Sequence, residues 1–392
     1  MSELFWPGDA RAGALLTDEA LLAAMLRVER AWLAALREVG VAPETQPLPD
    51  VGVDEVRDGA ESGGNPVIPL VAALRNGVAE PTRTWLHRGL TSQDVLDTAL
   101  MLCIRDTADH VLHDIERQVS ALREHVDTHR GSVQAGRTLT QHAVPTTFGL
   151  TAATWLAGVL DAAGDLAAER DRLPLQLGGA AGTQAAVVAL GAVNPAALAA
   201  ALADELGLAA SAPWHTNRRP VTRIGDALLA CVDVFGRIAN DVLLRSRPEF
   251  GELTEPVPGG SSTMPQKQNP VLSILIKRAA IAAPFTAAQL HAAAAAAVDE
   301  RPDGAWHVEW AALRTLGRLT VTAASQTAQL LDGLVVHHER MRATAAAAAE
   351  ELLAEQRAVQ GSSGRIEDYL GASDALVEQA LERADAFLKC AR

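Results

Sequence analysis

Ser261, Ser262, Lys267 and Asn269 lie within nine residues of one another, in the run Pro256-Val-Pro-Gly-Gly-Ser-Ser-Thr-Met-Pro-Gln-Lys-Gln-Asn-Pro270. They offer a nucleophile or base, a cation and an amide donor. Glycines and prolines exclude a regular helix or strand here. The Val-Leu-Ser-Ile-Leu-Ile-Lys-Arg run that follows predicts a helix, whose N-terminus favours negative charge. A polar loop bringing serine and lysine to an anionic substrate fits these residues. A Gly/Pro-rich connector without chemistry fits the composition equally well.

Two further segments crowd polar groups before helices. In Thr91-Ser-Gln-Asp94, Thr91 or Ser92 can cap the helix that follows, with Asp94 near its positive end. Hydroxyls, the Gln93 amide and backbone N–H groups there can bind substrate, or simply cap. In Gly136-Arg-Thr-Leu-Thr-Gln-His142, Arg137, Thr138, Gln141 and His142 stand close together. His142 can be an acid or base, or a hydrogen-bonded structural residue. His110 and His113 have a metal-like spacing but no identifiable third ligand, and read as a solvated face. Gln176-Leu-Gly-Gly-Ala-Ala-Gly-Thr183 lacks the lysine and the strand–GxGxxG–helix context of nucleotide-phosphate loops.

The elements that must position these segments are helical. Thr17-Asp-Glu opens the first helix and Gly40 closes it; prolines and glycines over 41–80 leave room for short helices only. Residues 93–128 contain neither proline nor glycine, which allows about 54 Å of continuous helix. Further helices are expected over 221–246, 271–298 and 305–333, with two or three shorter ones after 336. No sustained strand alternation stands out. The predicted fold is all-α, with a small N-terminal domain (1–85), a central long-helix bundle (86–335) and a short C-terminal domain (336–392).

Composition agrees. Apolar residues make up 48% of the 392-residue chain and aromatics only 4%, which favours helices. A net charge of −14 argues against nucleic acid as a partner. An anionic substrate then needs locally focused positive charge. Three widely spaced cysteines give no disulfide framework or zinc spacing, so a reducing cytoplasm is expected. No signal peptide is read, and the apolar 279–298 stretch reads as a buried helix, not a membrane span.

Gly260-Ser-Ser-Thr-Met-Pro-Gln-Lys-Gln-Asn-Pro270 resembles the signature loop of the fumarase/aspartase superfamily. Thr91-Ser-Gln-Asp94 and Gly136-Arg-Thr138 with Pro145-Thr-Thr-Phe-Gly149 resemble its other active-site motifs, in the expected order. The resemblance implies a homotetramer built on a 20-helix core, each active site taking segments from three subunits. It implies that Ser261 handles a carbon-bound proton, with Lys267 and His142 in catalysis. Thr91, Ser92, Gln93, Thr138, Gln141, Asn269, Arg301 and His215 are the implied substrate contacts. The scheme requires no metal or organic cofactor.

Within the superfamily two branches compete. Adenylosuccinate lyases carry a histidine after the Gly-Arg-Thr, where this chain has Leu139, and a serine/arginine phosphate site where it has Trp306 and Trp310. An indole cannot replace bidentate contacts to a phosphate dianion. Gly64-Asn-Pro-Val-Ile-Pro-Leu70, Pro213-Trp-His-Thr216 and Gly304-Ala-Trp-His-Val-Glu-Trp310 resemble the 3-carboxy-cis,cis-muconate cycloisomerase branch. That branch implies a tricarboxylate substrate, closed to 4-carboxymuconolactone in protocatechuate breakdown (the β-ketoadipate route). The chain is short for it at the C-terminal end. The alternatives are an adenylosuccinate lyase-like enzyme and a catalytically inactive structural member.

Overall fold

The computed structural model describes residues 4–191 and 194–390. Helix α1 (Asp18–Glu38) starts where its capping residue predicts: the Thr17 hydroxyl accepts the Ala20 N–H at 3.2 Å. Helices α2 (Val53–Gly63), α3 (Val67–Asn76) and α4 (Thr82–Trp85) follow, kept short by the prolines between them.

The uninterrupted 93–128 stretch forms α5 (Ser92–Thr128), 37 residues long. The other long helices are α6 (Phe148–Asp171), α9 (Arg219–Arg245), α10 (Val271–Ala295) and α11 (Gly304–Asp332). Between α6 and α9 lie α7 (Ala185–Ala189) and α8 (Pro195–Leu206), the latter capped by Asn194. The C-terminal part holds α12 (His338–Ala347), α13 (Ala349–Leu352), α14 (Ala354–Gln360) and α15 (Ser373–Cys390).

Val95, Leu96, Val111, Ile115, Val119 and Leu122 on α5 are fully buried within the chain itself. One expectation about the long helices changes. Helix α10 is less buried than its alanine-rich sequence implies: Ile274, Ile281 and Phe285 stand 48%, 60% and 73% exposed. By length and composition alone α10 could cross a membrane, with a mean hydropathy of 1.5 over its most apolar window.

A β-hairpin also forms where polar loop was expected, from β1 (Val133–Thr138) and β2 (Gln141–Thr147). The two-residue pairs β3 (Leu253–Thr254) and β4 (Val335–Val336) make a second small ladder. These strands are short additions to a helical fold.

Contacts group the chain into two compact units. The first comprises Met1–His110, Leu166–Leu228 and Pro284–Leu319. Its buried ion pair between Arg318 and Asp9 (2.9 Å) ties α11 to the turn before α1. The second comprises Val111–Asp165, Leu229–Ala283 and Thr320–Arg392. There the hairpin packs against α12 and α13 through Val133, Ala135, Ala345, Ala348 and Leu352.

Candidate active site

In the first unit the Thr91 segment is organised by Asp94, which is 1% exposed. Its carboxylate accepts N–H groups from Thr91 (2.9 Å), Gly178 (2.8 Å) and Gly179 (3.0 Å), and lies 3.1 Å from His215 Nε2. One side chain therefore caps α5 and fixes the small-residue turn beside it. Gly178 is required there, because a Cβ would fall 2.5 Å from His215 Cε1. His215 is buried, and its Nδ1 has no partner among the described residues. Arg301 donates to the Thr91 hydroxyl and to the Ala180 carbonyl, bridging the two segments. Ser92 is half-buried at the start of α5, and Gln93 is buried, donating to the His215 carbonyl (2.9 Å) and to Asp97 (3.2 Å).

One turn further along α5, Asp97 accepts Arg218 at 2.8 and 3.1 Å and the Trp306 indole N–H at 2.8 Å. Arg218 also donates to Glu309 at 2.6 Å. Burial opposes the Arg218 charge, but Asp97 and Glu309 outweigh it and raise its pKa. Burial raises the Glu309 pKa, against the pull of Arg218. Trp306 thus spends its single donor on Asp97, and its ring meets Trp310 edge-on with centroids 4.7 Å apart. No donor from Trp306 remains for a phosphate.

Ser261, Lys267 and Asn269 lie in the second unit on one loop closed at its neck. Gly259 and Asn269 exchange two backbone hydrogen bonds of 2.8 Å, and the Asn269 amide donates to the Gly260 carbonyl. Buried Glu255 accepts the Leu272 and Ser273 N–H groups at 3.0 and 2.7 Å, capping α10 from the loop's base. The Ser261 hydroxyl oxygen accepts N–H groups from Met264 (3.1 Å) and, longer, Thr263 (3.4 Å). Such donors stabilise a serine alkoxide more than a neutral hydroxyl, which is what a serine base needs. Lys267 is exposed on the same loop.

The remaining predicted residues lie on the hairpin. Thr138 pairs with Gln141 across a two-residue turn, Leu139-Thr140, whose φ angles are 50° and 72°. Left-handed angles at two non-glycine residues are costly, and Leu139 is 95% exposed at the tip. Gln141 is exposed, and its side-chain amide donates to the Thr140 hydroxyl at 3.2 Å. His142 Nδ1 lies 2.8 Å from Glu351 on α13. Arg137 makes a bidentate pair with buried Glu252 (3.1 and 2.7 Å).

The sequence did not single out Asp97, Arg218, Glu252, Glu255 or Glu309. A usable signal was present for Asp94 and Asp97: two acids, three apart, at the apolar start of a long helix must find partners. His110 and His113 are exposed, and among the described residues no three His, Cys, Asp or Glu side chains form a metal-binding group.

A family model described as a lyase matches residues 55–284, more than half of the chain. The chain belongs to the fumarase/aspartase lyase superfamily. A nitrosuccinate lyase of Streptomyces davaonensis is 43% identical over 350 residues, covering 84% of this chain and 73% of the relative. A 3-carboxy-cis,cis-muconate cycloisomerase of Bradyrhizobium diazoefficiens is 36% identical, covering 94% of this chain and 84% of the relative. Among solved structures, the 3-carboxy-cis,cis-muconate lactonizing enzyme of Pseudomonas putida superposes with a TM-score of 0.83 at 28% identity, over 98% of this chain and 100% of that one. The superfamily fold expected from three short motifs is therefore the fold of nearly the whole chain.

Proposed function

We propose that this lyase removes a proton from a carbon beside a carboxylate, with Ser261 as the base, and expels a leaving group from the neighbouring carbon. The observation that carries this reading is the Ser261 hydroxyl held under the N–H groups of Met264 and Thr263. Proton removal leaves charge on the adjacent carboxylate as an enediolate-like species, which fixed cations and N–H donors stabilise. Lys267 and Asn269 serve that carboxylate from the loop. Thr91, Ser92, Arg301 and the hairpin's Thr138 and Gln141 contribute from other subunits of a homotetramer.

Nitrosuccinate is the proposed substrate, supported by the 43% identity to an enzyme of that name. In such an elimination the C–H bond breaks toward Ser261 and its electrons form the C=C bond. The C–N bond breaks with its electron pair leaving on nitrite, and a butenedioate remains. Closure of 3-carboxy-cis,cis-muconate, the substrate that the motifs favour, is the second reading, supported by relatives of that name at 36 and 37% identity. Both reactions pass through a carboxylate-stabilised carbanion; in the closure a carboxylate oxygen adds to the C=C bond and Ser261 delivers a proton to the carbanion instead of removing one.

Purified protein incubated with each substrate separates the two. Nitrite release in step with the rise of butenedioate absorbance is the expected result. Loss of diene absorbance from 3-carboxymuconate without nitrite formation from nitrosuccinate would establish the second reading instead. Turnover of neither would overturn both.

A further inference from the structure

Both ends of the hairpin are tied to one histidine. The carbonyl of His129, directly after α5, accepts the Ser132 N–H (3.0 Å) and the Gly149 N–H (2.9 Å), and Phe148 donates its N–H to the Ser132 carbonyl (2.9 Å). Ser132 precedes β1 and Phe148 follows β2, so these bonds close the hairpin's root. The His129 ring takes part as well. Its Nδ1 lies 3.1 Å from the Ser132 hydroxyl, and it meets Phe148 edge-on with centroids 5.4 Å apart.

Two more imidazoles close on that ring. His125, one turn earlier on α5, stacks with it at a centroid distance of 6.2 Å, and His338, the first residue of α12, lies at 6.3 Å. His125 Nε2 lies 2.9 Å from the Leu331 carbonyl of α11, and α12 packs on β1. The charged groups around the cluster offer little compensation for added protons. Glu339 lies 3.2 Å from His338 Nε2, Arg342 lies 3.6 Å from Glu367, and Arg130 is held by Asp374 and Glu378 of α15. Among the described residues no carboxylate pairs with His125 or His129. Burial, with His125 and His338 alongside, pushes the His129 pKa down to about 4. A free imidazole titrates near ~6.5, so the folded root favours the neutral ring. That stabilisation is present above about pH 6.5 and is lost as pH falls toward 4.

We propose that His125, His129 and His338 form a proton-sensitive latch, which holds the hairpin root closed while the rings are neutral and releases it when they are protonated. Protonation sets like charges against one another across the stack and beside Phe148, where no carboxylate answers them. The latch governs the hairpin that carries Thr138, Gln141 and His142, and it does not depend on which substrate the Ser261 loop serves.

The test is hydrogen exchange of the full-length protein, read by mass spectrometry at pH 7 and pH 5 and corrected for the pH dependence of intrinsic exchange. A ring titrating near 6.5 when the root is open and near 4 when it is closed implies roughly a 20-fold loss of protection between those pH values. A loss of at least tenfold is therefore expected in peptides covering β1 and β2, with less than threefold in peptides of α1. His129→Gln, which cannot take up the proton, should reduce the hairpin's loss to less than threefold. Circular dichroism checks the fold of each variant; if His129→Gln fails to fold, the exposed His338→Gln carries the test and should at least halve the loss by removing one like charge. Unchanged hairpin protection at pH 5 overturns the proposal. So does a loss that α1 shares equally, or one that persists in full in the folded variant.

Discussion

Ser261 shows how much of the chemistry rests on a few local contacts. Its hydroxyl oxygen faces two backbone N–H groups on the same loop. Ser261→Ala frees those N–H groups, but they lie in an exposed loop where water replaces the lost acceptor. Stability should therefore fall by less than about 1 kcal/mol, the typical net value of one hydrogen bond. Turnover should fall by at least the ~10²-fold typical of losing a general base. Ser262→Ala should cost far less, because no loop N–H converges on Ser262. Comparing kcat for both variants with their thermal unfolding checks this; equal losses would remove Ser261 from the role.

At the scale of elements, the charged network in the first unit holds the start of α5 to α9 and α11. Arg218 stands between Asp97 and Glu309, all three buried. Arg218→Met keeps most of the side-chain volume but strands two carboxylates without their cation. Breaking a buried pair in this way costs about 3–5 kcal/mol, and the Thr91 turn should loosen with it. Denaturant unfolding reads the loss; a change below about 1 kcal/mol would show that the network does not hold these helices. Helix positions were legible because capping residues, glycines and prolines mark them: Thr17, Gly40 and the gap-free 93–128 stretch appear where the structure has α1 and α5. The hairpin was not legible. Its turn is Leu139-Thr140 in place of the Asn-Gly or Asp-Gly that left-handed angles favour. Pro145 lies within β2, and Gly136 marks a register shift where a Cβ would meet the Val144 carbonyl at 2.4 Å. The site was legible only as segments. Ser261 and Asn269 declare themselves by motif, whereas Glu255 acts through residues 17 and 18 positions away.

At the scale of the whole molecule, the apolar surface left uncovered lies on α10. Ile274, Ile281 and Phe285, spaced by seven and four, share one stripe of that helix. An apolar stripe of this kind is a surface that a second copy of α10 could cover. We propose that tetramer formation covers it and brings the Thr91 segment of one chain to the Ser261 loop of another. Mixing Ser261→Ala with Thr91→Val protein, each inactive alone, should then restore part of the activity after subunit exchange. Hybrid tetramers would contain sites that draw an intact Ser261 loop from one chain and an intact Thr91 segment from another. Light scattering establishes the tetramer, and native mass spectrometry establishes the exchange, before activity is read. No recovery in confirmed hybrids would mean that both segments of each site come from one chain, with the α10 stripe serving assembly alone.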